Sequence, residues 1–152
     1  MKPLETTVEE VLRKAIQSEV ETRVYYQKMA ERAGSPEVRK RLLQLADGEL
    51  VHRVRLERKY RETIGQAPPE PAPVVVEIPS DIANLDMSRA LKLALERERD
   101  SESYFRFKAE RVPDTELGRL FMELAETEWR HKSDLQAEYD AASPAERFLL
   151  DM

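Results

Sequence analysis

The sequence predicts an all-α protein, a four-helix bundle made of two repeated αα-hairpins joined by a long crossover. Three observations predict it. Residues 15–56 lie over residues 94–135 at an offset of 79 with no gap, and 12 of the 42 pairs are identical, including Glu19/Glu98, Tyr25/Tyr104, Glu49/Glu128 and His52/His131. Each copy holds two long stretches with apolar residues at helical spacing, split by a break of a few residues. Between the copies, residues 66–84 carry five of the nine prolines. Two copies of this length make a pair of helical hairpins, and they are too few and too long for a solenoid.

The first helix opens at Thr6 or Thr7, because Thr6-x-x-Glu9 and Thr7-x-x-Glu10 both read as capping boxes. Leu12, Ala15, Ile16, Glu19, Tyr26 and Ala30 then share one stripe until Gly34 stops the run. Ser35-Pro36-Glu37 restarts it, with serine as cap and proline at the first helical position. The second helix places Leu42, Leu45, Glu49, His52 and Leu56 on one stripe and ends at Gly65. So short a break forces the pair antiparallel, giving a hairpin over 7–64.

Residues 66–84, with Val74-Val75-Val76 set among prolines, should run extended as the crossover of a bundle. The third helix begins near Asp86 or Ser88 and ends by Pro113. The fourth begins at Asp114 or Thr115 and runs to about Asp140, completing a hairpin over 86–140. In the tail, 141–152, Ser143-Pro144-Ala145-Glu146 can cap a short C-terminal helix, and Phe148-Leu149-Leu150 suits docking on the bundle or on a partner. Four helices around one shared site predict a single domain over 1–152.

Composition narrows the function. Hydrophobic residues at 41% and charged residues at 36% suit amphipathic helices with charged outer faces. A net charge of −5 argues against nucleic acid, which needs a basic patch. No apolar run approaches the roughly 20 residues that cross a bilayer, so no membrane partner is expected. Met1-Lys2-Pro3-Leu4-Glu5 lacks the apolar core of a signal peptide. With no cysteine there is no disulfide, thiolate metal site or iron–sulfur cluster, and a cytoplasmic location is expected.

The two histidines are the sharpest signal. Both stand in a Glu-x-x-His word, Glu49-Leu50-Val51-His52 and Glu128-Trp129-Arg130-His131, and a further glutamate lies 30 residues upstream of each, Glu19 and Glu98. Residues at i and i+3 project from one helix face. All four glutamates fall on the apolar stripe of their helix, where a bare carboxylate would lose its hydration at a cost of several kcal/mol. One glutamate from each of two helices, plus a Glu-x-x-His from each of two others, is a ligand set for a pair of metal ions in a bundle. Carboxylates with one imidazole per metal suit iron or manganese, and zinc fits by ligand type. Glu49 and Glu128 are the expected bridges, with Glu19 and Glu98 terminal. Tyr26, two turns after Glu19, is either core or a donor to a ligand carboxylate. Trp129 points off the ligand face and reads as packing.

Ala15-Ile16-Gln17-Ser18-Glu19 with Tyr25-Tyr26, and Leu45-Ala46-Asp47-Gly48-Glu49-Leu50-Val51-His52, resemble the rubrerythrin branch of the ferritin-like superfamily. Their echoes are Ala94-Leu95-Glu96-Arg97-Glu98 and Leu124-Ala125-Glu126-Thr127-Glu128-Trp129-Arg130-His131. The resemblance spans about residues 8 to 140. It implies a ferritin-like di-iron carboxylate bundle that reacts with hydrogen peroxide or oxygen, with Glu19, Glu49, His52, Glu98, Glu128 and His131 as ligands to two iron ions. It also implies a homodimer. Two departures stand out. The cysteine-bound iron domain of longer rubrerythrins has no counterpart here, so electrons are expected from an external donor protein. Ser101, between Asp100 and Glu102, stands where those proteins carry an extra glutamate.

Two functions follow. One is an oxidoreductase, a peroxide reductase or ferroxidase. The other is an iron-binding, storage or sensing protein without efficient turnover. A metal-free helical interaction module ranks last.

Overall fold

In the computed structural model, which describes residues 7–112 and 115–142, four long helices form where the periodicity places them. They are α1 (Val8–Arg32), α2 (Pro36–Ile64), α3 (Met87–Arg111) and α4 (Thr115–Ala142). The chain divides into two units at Asn84 and Leu85, so each unit is one of the repeated hairpins. The described residues include no strand, and none of their helices is long and apolar enough to cross a membrane.

The first hairpin is fixed by its caps. Thr7 Oγ1 accepts from the Glu10 N–H at 3.0 Å, which selects Thr7 as the α1 cap; Thr6 lies outside the described residues. Ser35 Oγ accepts from the Val38 N–H at 3.3 Å, and Pro36 occupies the start of α2. Gly65 ends α2 with φ 85° and ψ 10°, a left-handed conformation that favours glycine. α1 packs on α2, and Leu12, Ala15, Met29, Leu42, Ala46 and Leu56 on these two helices are buried. At the far end of the hairpin the Tyr60 hydroxyl donates to Glu9 at 3.0 Å.

Gly34 differs from its expected role. α1 already ends at Arg32, with Ala33 extended at φ −64° and ψ 130°, so no left-handed glycine terminates it. The free carbonyls at the helix end are met by Arg39 of α2, whose Nε donates to Ala30 O at 3.2 Å and whose Nη2 donates to Ala33 O at 2.8 Å. Glycine at 34 answers a close approach instead: a Cβ there would stand 2.4 Å from the Ala83 carbonyl oxygen.

Ala83 belongs to the crossover, which returns along this hairpin. The Gln17 side chain holds it by both amide groups, accepting from the Ala72 N–H at 2.9 Å and donating to Ala72 O at 3.2 Å. Most of 66–81 has no repetitive structure, as the prolines require. The exception is a 3₁₀ turn at Ile82–Asn84, inside the stretch that the prolines predict to be extended. It forms because Pro79 O accepts from the Ile82 N–H at 3.2 Å and the turn buries Ile82.

In the second hairpin, Asp86 Oδ1 caps α3 by accepting from the Arg89 N–H at 2.8 Å. α3 and α4 pack through Phe105 and Phe121, ring centroids 5.9 Å apart, and approach closely at Gly118, where a Cβ would lie 3.2 Å from Ala109 O. Pro113, Asp114 and the whole segment 143–152, including the expected C-terminal helix, lie outside the described residues.

Gly34→Ala should destabilise the chain by about 1–3 kcal/mol, because a backbone carbonyl is harder to move than a side-chain tip. Chemical denaturation of both proteins measures it; an unchanged midpoint would show that the crossover yields freely.

Candidate metal centre

α1 and α2 bring three of the expected ligands together. Glu19 comes from α1, while Glu49 and His52, one turn apart, come from α2. All three are at most 2% exposed. One ligand atom from each lies within 4.8 Å of the other two. His52 Nδ1 is 3.6 Å from Glu19 Oε2 and 3.8 Å from Glu49 Oε2, beyond hydrogen-bond reach. Glu19 Oε2 is buried and accepts no hydrogen bond.

These donors fit a divalent cation. Metal–oxygen and metal–nitrogen bonds of about 2.0–2.2 Å put two ligands of one ion roughly 3–4 Å apart. That is the spacing found here, and it is too wide for direct pairing. Two carboxylates in a dry pocket also need compensating positive charge.

α3 and α4 carry the repeat of this set. Glu98 and Glu128 are 1% and 0% exposed, and His131 is partly exposed. A carboxylate oxygen of Glu98 lies within 4.8 Å of one from Glu128, and Glu128 stands in the same relation to His131. Each hairpin therefore presents its two glutamates and one histidine as a half-site.

The surroundings of the half-sites differ. Tyr26 is fully buried with its ring 5.6 Å from that of Tyr25, and its repeat partner Phe105 is buried against Phe121. Trp129 points off the ligand face, as the sequence predicts, but at 50% exposure it stands half in solvent on the outer side of α4 rather than packed.

Sequence reasoning missed Glu102. It lies one turn beyond Glu98, is buried, and accepts from Lys132 Nζ at 2.7 Å and Arg106 Nε at 2.8 Å. Burial pushes its carboxyl up, but the two hydrogen bonds and the positive charges outweigh that and hold it below the usual glutamate range. Its oxygens are thus committed to two cations, and Ser101 beside it has no carboxylate to offer. The signal was present in the i, i+4 pair Glu102/Arg106 and in Lys132 following His131. In the first hairpin the equivalent positions are Arg23 and Arg53, so this ion pair is not repeated.

The rubrerythrin family model matches residues 10–139. The chain belongs to the rubrerythrin family. Two solved structures show the same fold. A hypothetical protein from Pyrococcus furiosus is 24% identical, with 88% of this chain and 89% of that chain covered and a TM-score of 0.64. An uncharacterized conserved protein from Magnetospirillum magnetotacticum MS-1 is 19% identical, with 89% and 95% covered and a TM-score of 0.67. No curated protein matches. The family and these likenesses establish the ferritin-like four-helix bundle of two αα-hairpins.

Glu102 gives a pH prediction. Its lowered pKa in the fold contributes stability that is present above the unfolded glutamate value, about 4.3, and is lost as pH falls through the folded value. Glu102→Gln should therefore flatten the acid side of the stability curve. Thermal melts from pH 7 to pH 3 measure this, and parallel curves for the two proteins would contradict it.

Proposed function

We propose that the chain is a di-iron carboxylate oxidoreductase, reducing hydrogen peroxide or oxygen with electrons from a separate donor protein. The observation that carries the reading is the buried cluster of Glu19, Glu49 and His52, whose residue types and spacing recur as Glu98, Glu128 and His131 in a chain of the rubrerythrin family. On this reading Glu19, Glu49, His52, Glu98, Glu128 and His131 would hold two ions, with Glu49 and Glu128 expected to be shared between them and Glu19 and Glu98 to serve one ion each, with one imidazole per metal. Manganese or zinc satisfies the same ligand types less specifically to the chemistry. Two ferrous ions bound there supply two electrons, the number that cleaves the O–O bond of peroxide.

The protein's own part is positional and electrostatic. Burial strips water from the carboxylates and so strengthens their hold on a cation. The rigid i, i+3 spacing of each Glu-x-x-His keeps both donors on one face. On this reading the buried Tyr26 would donate its hydroxyl to a ligand carboxylate in the first half-site, a role Phe105 has no hydroxyl to repeat, and the two ions would be inequivalent. The cysteine-free composition suits a cytoplasmic protein.

A second reading has a specific observation behind it. Ser101 stands in place of the extra glutamate, and Glu102 is held by Lys132 and Arg106, so neither of these two residues has a carboxylate to exchange onto a metal. That favours iron binding, storage or sensing without efficient turnover.

Protein reconstituted with ferrous iron should hold close to two ions per chain and melt at a higher temperature than the apoprotein, because ions that bind only the native state stabilise it by mass action. Glu49→Ala and Glu128→Ala should each abolish tight binding of both ions. Elemental analysis decides: one tight ion retained in either variant would remove the bridging assignment, and none in the parent would remove the metal.

Stopped-flow mixing separates the two readings of function. The diferrous protein should be oxidised faster by hydrogen peroxide than by oxygen, with turnover only when a reductase is added. His52→Ala and His131→Ala should slow it unequally. Slow oxidation by both oxidants, with iron retained, would establish the storage or sensing reading instead.

A further inference from the structure

We propose that the first hairpin binds an oxyanion of the phosphate class between Arg23 of α1 and Arg53 of α2. The second hairpin shows what belongs at this place. There Glu102 of α3 accepts from Lys132 of α4 at 2.7 Å and from Arg106 at 2.8 Å, so cations on both helices clasp one buried carboxylate. At the offset of 79, Arg23 matches Glu102, Arg53 matches Lys132 and Gln27 matches Arg106. The first hairpin thus keeps donors at all three positions and has no carboxylate at any of them.

The match holds in the structure as well as in the sequence. α1 ends at Arg32 and α2 starts at Pro36; α3 ends at Arg111 and α4 starts at Thr115, the same limits moved by the same offset. Unbroken helix runs from these limits to the residues concerned, so the side chains at 23 and 53 project to the place where those at 102 and 132 meet. Arg53 is accordingly about as deep as its counterpart, with a side chain 25% exposed against 28% for Lys132.

A second, independent observation points to a ligand. Arg23 Nε and Arg53 Nε are both buried, and neither donates a hydrogen bond. Among the described residues Arg23 pairs with no carboxylate. Arg53 has Glu57 alone, 3.5 Å from its Nε and without a hydrogen bond. A buried N–H that meets no acceptor forfeits the hydrogen bond it made to water. Two guanidinium groups facing one groove also repel each other, more strongly as water is excluded.

One oxyanion answers both costs. The planar fork of a guanidinium matches two oxygens of a phosphate, and arginine keeps its charge at any working pH. Two forks and the Gln27 amide, approaching from two helices, suit the four oxygens of a tetrahedral anion better than the two of a carboxylate. The site lies one turn from Glu19 and next to His52 in the chain, yet it needs no metal. It therefore stands or falls apart from the oxidoreductase reading.

Calorimetric titration of the full chain with inorganic phosphate, in a buffer free of other oxyanions, tests it. The parent should bind a single phosphate, and more weakly as chloride rises. Arg23→Gln and Arg53→Gln should each weaken binding by about tenfold or more. Arg23→Glu, which supplies the carboxylate from the chain as Glu102 does, should abolish it; the two glutamine variants keep the test decisive if this one misfolds. Lys132→Gln should leave phosphate affinity unchanged, because Glu102 already fills the second place. Glycerol phosphate separates the sources of the ligand: tighter binding than inorganic phosphate assigns the site to a phosphorylated small molecule, weaker binding to the free anion. A parent that binds no phosphate at roughly millimolar concentration would overturn the proposal. So would arginine variants that bind as tightly as the parent, which is the result expected if a bound metal ion takes up the phosphate. Loss of binding in Lys132→Gln would overturn it by placing the anion in the second hairpin.

Discussion

Carboxylates sunk in an apolar helix interface must be met by positive charge, and the rest of this structure depends on that constraint. Glu19, Glu49, Glu98 and Glu128 are almost wholly removed from water. An uncompensated buried carboxylate would protonate or destabilise the fold by several kcal/mol. A designer seeking stability alone would place leucine at these positions, as the chain does one or two turns away at Leu12, Leu42, Leu56 and Leu124. Glutamate at these positions needs a positively charged partner, which on the proposed reading is a metal ion.

Glu102 shows the other way to meet the same constraint. It too is buried near this level of the second hairpin, yet its two oxygens are answered by Lys132 and Arg106 within the protein. Glu19, by contrast, has an oxygen that accepts no hydrogen bond and lies 3.6 Å from an imidazole nitrogen. Glu98, the repeat partner of Glu19, lies one turn before Glu102 on α3, and on the proposed reading its partner is a metal ion. The ion pair also leaves the two halves unequal, as do Tyr26 against Phe105 and an exposed Trp129 against Leu50. The repeat holds Glu19/Glu98, Glu49/Glu128 and His52/His131 alike while their surroundings differ.

Much of this was legible in the residues, for identifiable reasons. Caps at Thr7, Ser35 and Asp86 and the stop at Gly65 depend on local chemistry, so the helix limits could be read to within a residue or two. The buried positions of the four glutamates followed from helical period. What escaped depends on contacts far apart in sequence. Gly34 looked like a helix stop, and only the path of the crossover shows that it makes room for Ala83 O. Arg39, which completes the end of α1, is nine residues from Ala30 and belongs to the next helix. The 3₁₀ turn at Ile82–Asn84 sits in a stretch whose prolines argued for an extended chain. Glu102 was hidden among 30 acidic residues, since burial rather than identity sets it apart.

On the proposed reading, Glu19, Glu49, His52, Glu98, Glu128 and His131 would hold one coupled pair of iron ions rather than two independent ions. A Mössbauer spectrum of the chain loaded with isotopically enriched iron and then oxidised tests it most directly. Two ferric ions joined by bridging carboxylates should couple antiferromagnetically and give quadrupole doublets with a diamagnetic ground state in an applied field at low temperature. Magnetically split spectra of isolated high-spin ferric ions would contradict the account.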